Sequence, residues 1–190
     1  MRNQRNLSML CVAIGLMLLL AACSAKKTIV ESDLGIKGAP DWVNKGIQFL
    51  DDRGGRLFHG VGQAPVMGDE SLQKSTAETR ARASVAQIFS SYMDIVGRDY
   101  GSAARSDDNR ISETSIARQI QDFTKLNLSG AKIIAHWKDK SSGIVYALAE
   151  LDLEQTKKTL GAAEEMNADL RQHIRSNADN IFDKMVTESR

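Results

Sequence analysis

Cysteine is almost missing from this chain. Two occur in 190 residues, Cys11 and Cys23, which excludes the multi-bridge frameworks that staple small secreted domains. An excess of either charge is missing too, with 25 Lys and Arg against 24 Asp and Glu. Phosphate recognition needs a basic face, so this balance argues against nucleic acid as a partner. The most apolar stretch, Leu7 to Leu20, falls short of the ~20 residues of a membrane-spanning helix. There is no low-complexity segment and no internal repeat. Catalytic signatures are absent as well, with no nucleophile elbow and no His-Glu-x-x-His.

The remaining candidates for chemistry are thin. His59, His136 and His173 fall on different predicted elements without metal-ligand spacing, and read as surface or partly buried side chains. Gly60-Val61-Gly62-Gln63-Ala64-Pro65 is a poor dinucleotide loop, lacking the third glycine and a parallel βαβ unit. Its glycines instead predict close backbone packing of a strand against a helix. Asp51-Asp52 and Asp107-Asp108-Asn109 lack the Gly and distal Glu of a calcium loop and read as solvated turn charges. Trp42 and Trp137 read as core rather than as ligand platforms. The expectation is no catalytic residue, no metal and no cofactor.

What the chain does have stands at its start. Two cations, Arg2 and Arg5, precede the apolar run, and Leu20-Ala21-Ala22-Cys23 closes it. A charged n-region, a short apolar h-region and small residues before a cut site form a secretory signal peptide, here residues 1–22. With Cys23 in the final place, the pattern is that of a bacterial lipobox. In such sequences the thiol receives a diacylglycerol, cleavage follows just before it, and the new amine is acylated. Leu20, Ala21 and Ala22 are then the signal-peptidase recognition residues and Cys23 the lipidation site. Two or more acyl chains anchor stably, at ~0.8 kcal/mol per buried methylene. In lipoproteins of this type an Asp after the cysteine is the usual inner-membrane retention signal. Ser24 stands there instead and points to the outer membrane.

Processing leaves 168 residues, Cys23 to Arg190, with one cysteine, itself lipidated. That length supports one domain with a real core. Residues 23–38 form the lipidated cysteine and a polar stretch without periodicity, read as a flexible tether of at most roughly 50 Å.

Residues 39–160 read as mixed α and β. Pro40 disfavours helix at Ala39, and Asp51-Asp52-Arg53-Gly54-Gly55 is a turn signal. Arg56 to Ala64 predicts a first strand, and Asp69 the cap of a long helix. Ala81, Val85, Ile88, Phe89, Tyr92, Ile95 and Val96 recur at three-four spacing, and Glu78 and Arg82 form an i,i+4 pair. Gly101 to Asn109 reads as a loop and Ile111 to Asn127 as a second helix. From Ala131 the period becomes two, placing Ile133, Ala135 and Trp137 on one face and Lys132, Ile134, His136 and Lys138 on the other. A hairpin loop at Asp139–Gly143 leads to a return strand, Ile144 to Leu151. Asp152 with Gln155 resembles a capping box. The predicted order is β-α-α-β-β-α, an α+β fold with a three-stranded antiparallel sheet packed on long helices.

A helical extension, 161–190, follows. Leu160, Ala163, Leu170, Ile174, Ile181 and Met185 fall near helical spacing, with Asn167 and Asn177 in the same stripe. Two readings stay open: a helix packed on its own sheet or projecting from it, or a self-association helix whose Asn residues set register.

Three segments carry a family resemblance. Lys37-Gly38-Ala39-Pro40-Asp41-Trp42-Val43, the run Thr76-Ala77-Glu78-Thr79-Arg80-Ala81-Arg82-Ala83, and the hairpin from Ile133 through Tyr146-Ala147-Leu148 to Leu151-Asp152 resemble, in that order behind a lipobox, the LPP-twenty lipoproteins. That family includes a Helicobacter membrane-associated lipoprotein antigen and flagellar FlgP-like lipoproteins. The resemblance spans roughly Cys23 to Leu160. It implies a dodecin-like fold, no catalytic residues, and for FlgP-like members an outer-membrane ring or disk around the flagellar motor. Three functions stay open: a self-associating structural lipoprotein of the envelope needed for motility, a surface-exposed antigen or adhesion-type binding module, and a regulator of envelope enzymes. The partners expected are membrane lipid through Cys23, further copies of the chain, and flagellar or envelope proteins.

Overall fold

The computed structural model describes residues 33–50, 54–104 and 112–188. Their elements are α1 (Asp41–Asn44), a 3-10 turn (Ile47–Phe49), β1 (Leu57–Ala64), α2 (Glu70–Ala104), α3 (Glu113–Leu128), β2 (Lys132–Lys138), β3 (Val145–Asp152), α4 (Leu153–Thr159) and α5 (Ala168–Glu188). The protein is α+β, a three-stranded antiparallel sheet in the order β1-β3-β2 with helices.

β1 lies on α2 with almost no space between them. A Cβ on Gly62 would stand 2.2 Å from the Ala81 nitrogen and 2.3 Å from the Ala77 oxygen, and one on Gly60 would be 2.6 Å from the Ala81 oxygen. Ala77 and Ala81 are themselves fully buried. The glycines are therefore packing residues, as their composition predicted, and they let strand backbone touch helix backbone. Beyond them Phe58 meets Phe89 at 5.3 Å and Tyr92 at 5.2 Å between ring centroids.

The 35 residues of α2 rise about 52 Å. Asp69 caps the helix by accepting from the Ser71 and Leu72 N–H groups. Of the predicted stripe, Ala81, Val85, Phe89, Tyr92 and Val96 are buried, and Ile88 and Ile95 are partly so. The predicted loop from Gly101 begins too early, because Gly101 to Ala104 are still helical. The physical reason is helix packing. Gly97 and Gly101 give α3 room to approach, and a Cβ on Gly97 would be 3.2 Å from Ile120 Cγ1. Ser112 caps α3 by accepting from Ser115 N–H.

The predicted faces of β2 are corrected. A β-bulge between Ile133 and Ala135 shifts the register, so that Ile133, His136 and Lys138 pair with Ala149, Ala147 and Val145. Those partners belong to the core beneath α2. Ala135 and Trp137 pair with Leu148 and Tyr146 on the opposite face. His136 and Lys138 accordingly reach the exposed side of α2, at Glu78 (2.8 Å) and Glu70 (2.7 Å). An extra residue in one strand inverts alternation, and a strict period of two cannot register it.

One buried side chain ties three elements together. Gln73, 1% exposed, donates from Nε2 to the Ala64 oxygen at the end of β1 (3.2 Å) and to the Gly143 oxygen in the β2–β3 hairpin (2.8 Å). Gln73→Leu removes the amide donor from both carbonyls and unties the hairpin from β1 and α2. The expected loss in unfolding free energy is about 1–3 kcal/mol, read by urea denaturation. A variant as stable as the parent contradicts this assignment.

The expected extension is part of the head. Ser32 to Arg190 is one compact unit, and α5 buries Leu170, Ile174, Ala178, Ile181 and Phe182 in the common core. The helix starts at Ala168 rather than 161, after α4 ends and Leu160 and Met166 are buried in the connection. Asn167 caps it, its Oδ1 accepting from Asp169 and Leu170 N–H. Asn177 donates to the His173 oxygen one turn back. Both asparagines thus serve local backbone and side-chain bonds. The apolar stripe that suggested self-association is occupied within the chain.

Candidate functional site

The residues singled out for function, Leu20, Ala21, Ala22, Cys23 and Ser24, lie outside the described residues. So do Asp51, Asp52, Asp107, Asp108 and Asn109. What the structure places is the point where the chain enters the head. Leu34 N–H donates to the Asn44 oxygen (3.0 Å). The Asn44 side chain accepts from Ile36 N–H through Oδ1 (3.0 Å) and donates through Nδ2 to the Ile36 oxygen (3.0 Å). α1 carries Asn44 and buries Val43, 5% exposed. Pro40 stands at its N-cap with φ −65° and ψ 157°. The tether expected to run to Gly38 is therefore shorter. Residues 34 and 36 are already bonded to the head, because Asn supplies both a donor and an acceptor from one side chain.

The three histidines do not converge. His59 on β1 pairs with Glu150 on β3 (3.1 Å), His136 on β2 with Glu78 on α2 (2.8 Å), and His173 on α5 with Asp99 on α2 (3.0 Å). Each joins two elements, and among the described residues none hydrogen-bonds a serine or threonine hydroxyl. No cluster of three metal-ligating side chains occurs among the described residues. Trp42 and Trp137 are half-buried rather than core. Trp137 lies against Tyr146, ring centroids 5.6 Å apart, on the sheet face away from α2.

The charged groups whose titration is displaced sit at joints of the fold. Arg56 grips Asp183 with two bonds, Nε to Oδ1 at 3.0 Å and Nη2 to Oδ2 at 2.9 Å. Those hydrogen bonds hold the Asp183 carboxyl below its ordinary range. Lys157 on α4 binds Asp179 at 2.8 and 2.9 Å. Burial opposes the Lys157 charge, but its bonds to Asp179 and Glu154 outweigh it and raise the ammonium. Tyr92 is buried and donates to the Ala178 oxygen at 2.7 Å, and burial pushes its hydroxyl well up. These bonds fasten α5 to β1, α4 and α2. Sequence reasoning missed them. The i,i+4 acid pair Asp179 and Asp183 was the available signal, but its cationic partners lie far off in the chain.

The hairpin turn holds a second such group. Asp139, 7% exposed, accepts from the Ser142 hydroxyl and from the Ser141 N–H (2.9 Å) and hydroxyl (2.8 Å). These donors, Ser142 first, lower its carboxyl to about 2. A depressed carboxyl stabilises the fold above the ordinary value of about 3.9, and that stability is lost as pH falls through about 2. Asp139→Ala is expected to melt at a lower temperature at pH 7 and to lose less than the parent between pH 4 and pH 2. Parallel melting curves across that window exclude the assignment.

Three open clefts border α3. One, about 420 Å³, lies on the α2–α3 seam and is lined by Gly97, Ile116 and Ile120 with Asp94, Arg98 and Glu113. Another, about 490 Å³, lies between Phe123 and Leu126 of α3 and Ala162 to Met166. The third, about 600 Å³, lies between Ser90 and Asp94 of α2 and Thr124 and Leu128 of α3. No buried side-chain polar atom lacks a partner among the described residues. Among the described residues no helix is long and apolar enough to cross a membrane. Compared with known proteins, the chain matches no family model and no curated protein.

Proposed function

We propose that this chain is a non-enzymatic, lipid-anchored lipoprotein of the bacterial outer membrane. Its α+β head self-associates as a structural or assembly component of the envelope, in the manner of a flagellar ring or disk that supports motility. The observation that carries the reading is Leu20-Ala21-Ala22-Cys23 behind Arg2, Arg5 and the Leu7–Leu20 run. Charge, apolar length, small residues and a modifiable thiol occur there in the order that secretion followed by lipidation requires. Ser24 supports the outer membrane. The resemblance of residues 37–43, 76–83 and 133–152 to LPP-twenty lipoproteins supports the structural role. The α+β head, a three-stranded sheet on a long helix, agrees with the fold which that resemblance implies.

Self-association on this reading uses the outside of the head, because the α5 stripe is spent on the core. The free edge of β2 is a poor route. It carries a bulge and is flanked by Lys132 and Lys138, both devices that blunt sheet edges against pairing. The α2–α3 surface and the β1 edge remain.

Cys23→Ser tests the reading. The expected result is an uncleaved precursor without acyl chains that no longer fractionates with the outer membrane. Unaltered processing and outer-membrane recovery of the variant reject it.

A further inference from the structure

Resting on the lipid-anchor reading, we propose that the segment clamped by Asn44, with Leu34 at its rim, is the surface of the head that lies against the bilayer. The clamp fixes where the chain leaves the folded body. Leu34 and Ile36 are bonded to Asn44 through one main-chain and two side-chain hydrogen bonds, each 3.0 Å, and Val43, beside Asn44 on α1, is buried. The covalent path from Cys23 to Asp33 spans at most about 35 Å at full stretch. α2 alone is longer, at about 52 Å. A head on so short a leash cannot present an arbitrary side to the membrane, and the exit face stays nearest the lipid.

That face has the matching chemistry. Leu34 is 64% exposed although it is a large apolar side chain at a defined, hydrogen-bonded position, and exposed Lys37 lies three residues on. An apolar side chain beside a cation whose stem reaches past it suits the headgroup boundary of a bilayer. Asn44 is on this account a positioning residue. Asn44→Ala removes both side-chain bonds to Ile36 and keeps the main-chain bond from Leu34, so it loosens the clamp.

The test uses the full-length mature lipoprotein, extracted with its anchor and reconstituted in phosphatidylethanolamine–phosphatidylglycerol vesicles. Acylation blocks Cys23, so Leu34→Cys, Leu126→Cys and Ser142→Cys each give one site for a fluorophore. Nitroxide-bearing lipids are expected to quench position 34 several-fold more than positions 126 and 142, and Asn44→Ala is expected to lower that contrast. Equal quenching at the three positions, in protein that floats with the vesicles, overturns the inference and leaves the anchor standing. Shielding of position 34 that appears only as protein concentration rises assigns the face to a second copy and also overturns it. Failure to float overturns the anchor and the inference together.

Discussion

Gly62→Ala severely destabilises the fold, although it adds a single methyl group. Ordinary overpacking of a core costs about 1–3 kcal/mol because neighbouring side chains can move aside. Here the new Cβ meets main-chain atoms, Ala81 N at 2.2 Å and Ala77 O at 2.3 Å, inside the longest helix among the described residues. Relief requires lifting β1 off α2, which also separates Phe58 from Phe89 and Tyr92. The expected loss exceeds about 4–5 kcal/mol, a large part of the about 5–15 kcal/mol that holds a domain folded. Gly68→Ala is the internal control. A Cβ there meets nothing within 4 Å, and the expected change is within about 0.5 kcal/mol. Circular dichroism and urea denaturation of the two variants decide the matter, and equal stabilities contradict the packing account.

Phe182→Ala is the second large effect. The ring is 6% exposed and stands edge-on to Phe58 at 5.1 Å and to Tyr92 at 6.2 Å. It is the residue through which α5 joins the aromatic cluster beneath β1. Truncating a buried phenylalanine costs about 3–5 kcal/mol through lost transfer energy and the cavity left behind. The same substitution separates the two roles open to the C-terminal helix. A helix that projects for self-association loses oligomers when Phe182 is cut back and leaves the unfolding of the monomer unchanged. A helix that belongs to the core loses monomer stability. The second result is expected, read by denaturation at concentrations low enough to hold the protein monomeric.

The order from β1 to β3 was legible in the sequence because each element left a local mark: three-four spacing in α2 and α3, caps at Asp69 and Asp152, and a change of period at β2. The close glycine contact was legible too, since Gly60 and Gly62 fall on the same face of one strand. Three features were not. Gly101-Ser102-Ala103-Ala104 has the composition of a loop, and only Ile116 and Ile120 on another helix show why small residues belong there. The bulge at Ile133–Ala135 depends on pairing with β3, which no single strand reveals. Asn167 and Asn177 sit in an apolar stripe, and composition alone could not tell a cap and a backbone contact from a register device. The candidate site divides the same way. The proposed signal at Leu20 to Ser24 is contiguous and readable without a fold, whereas the Asn44 clamp and the Arg56–Asp183 grip join residues whose nearness only folding creates.

The central claim is that Cys23 carries lipid and begins the mature chain. Its most direct test is the intact mass of the N-terminal peptide released from membrane-extracted protein. The account predicts a peptide starting at Cys23 with a diacylglyceryl thioether and an acylated amine. A peptide that starts elsewhere, or an unmodified thiol at Cys23, contradicts it.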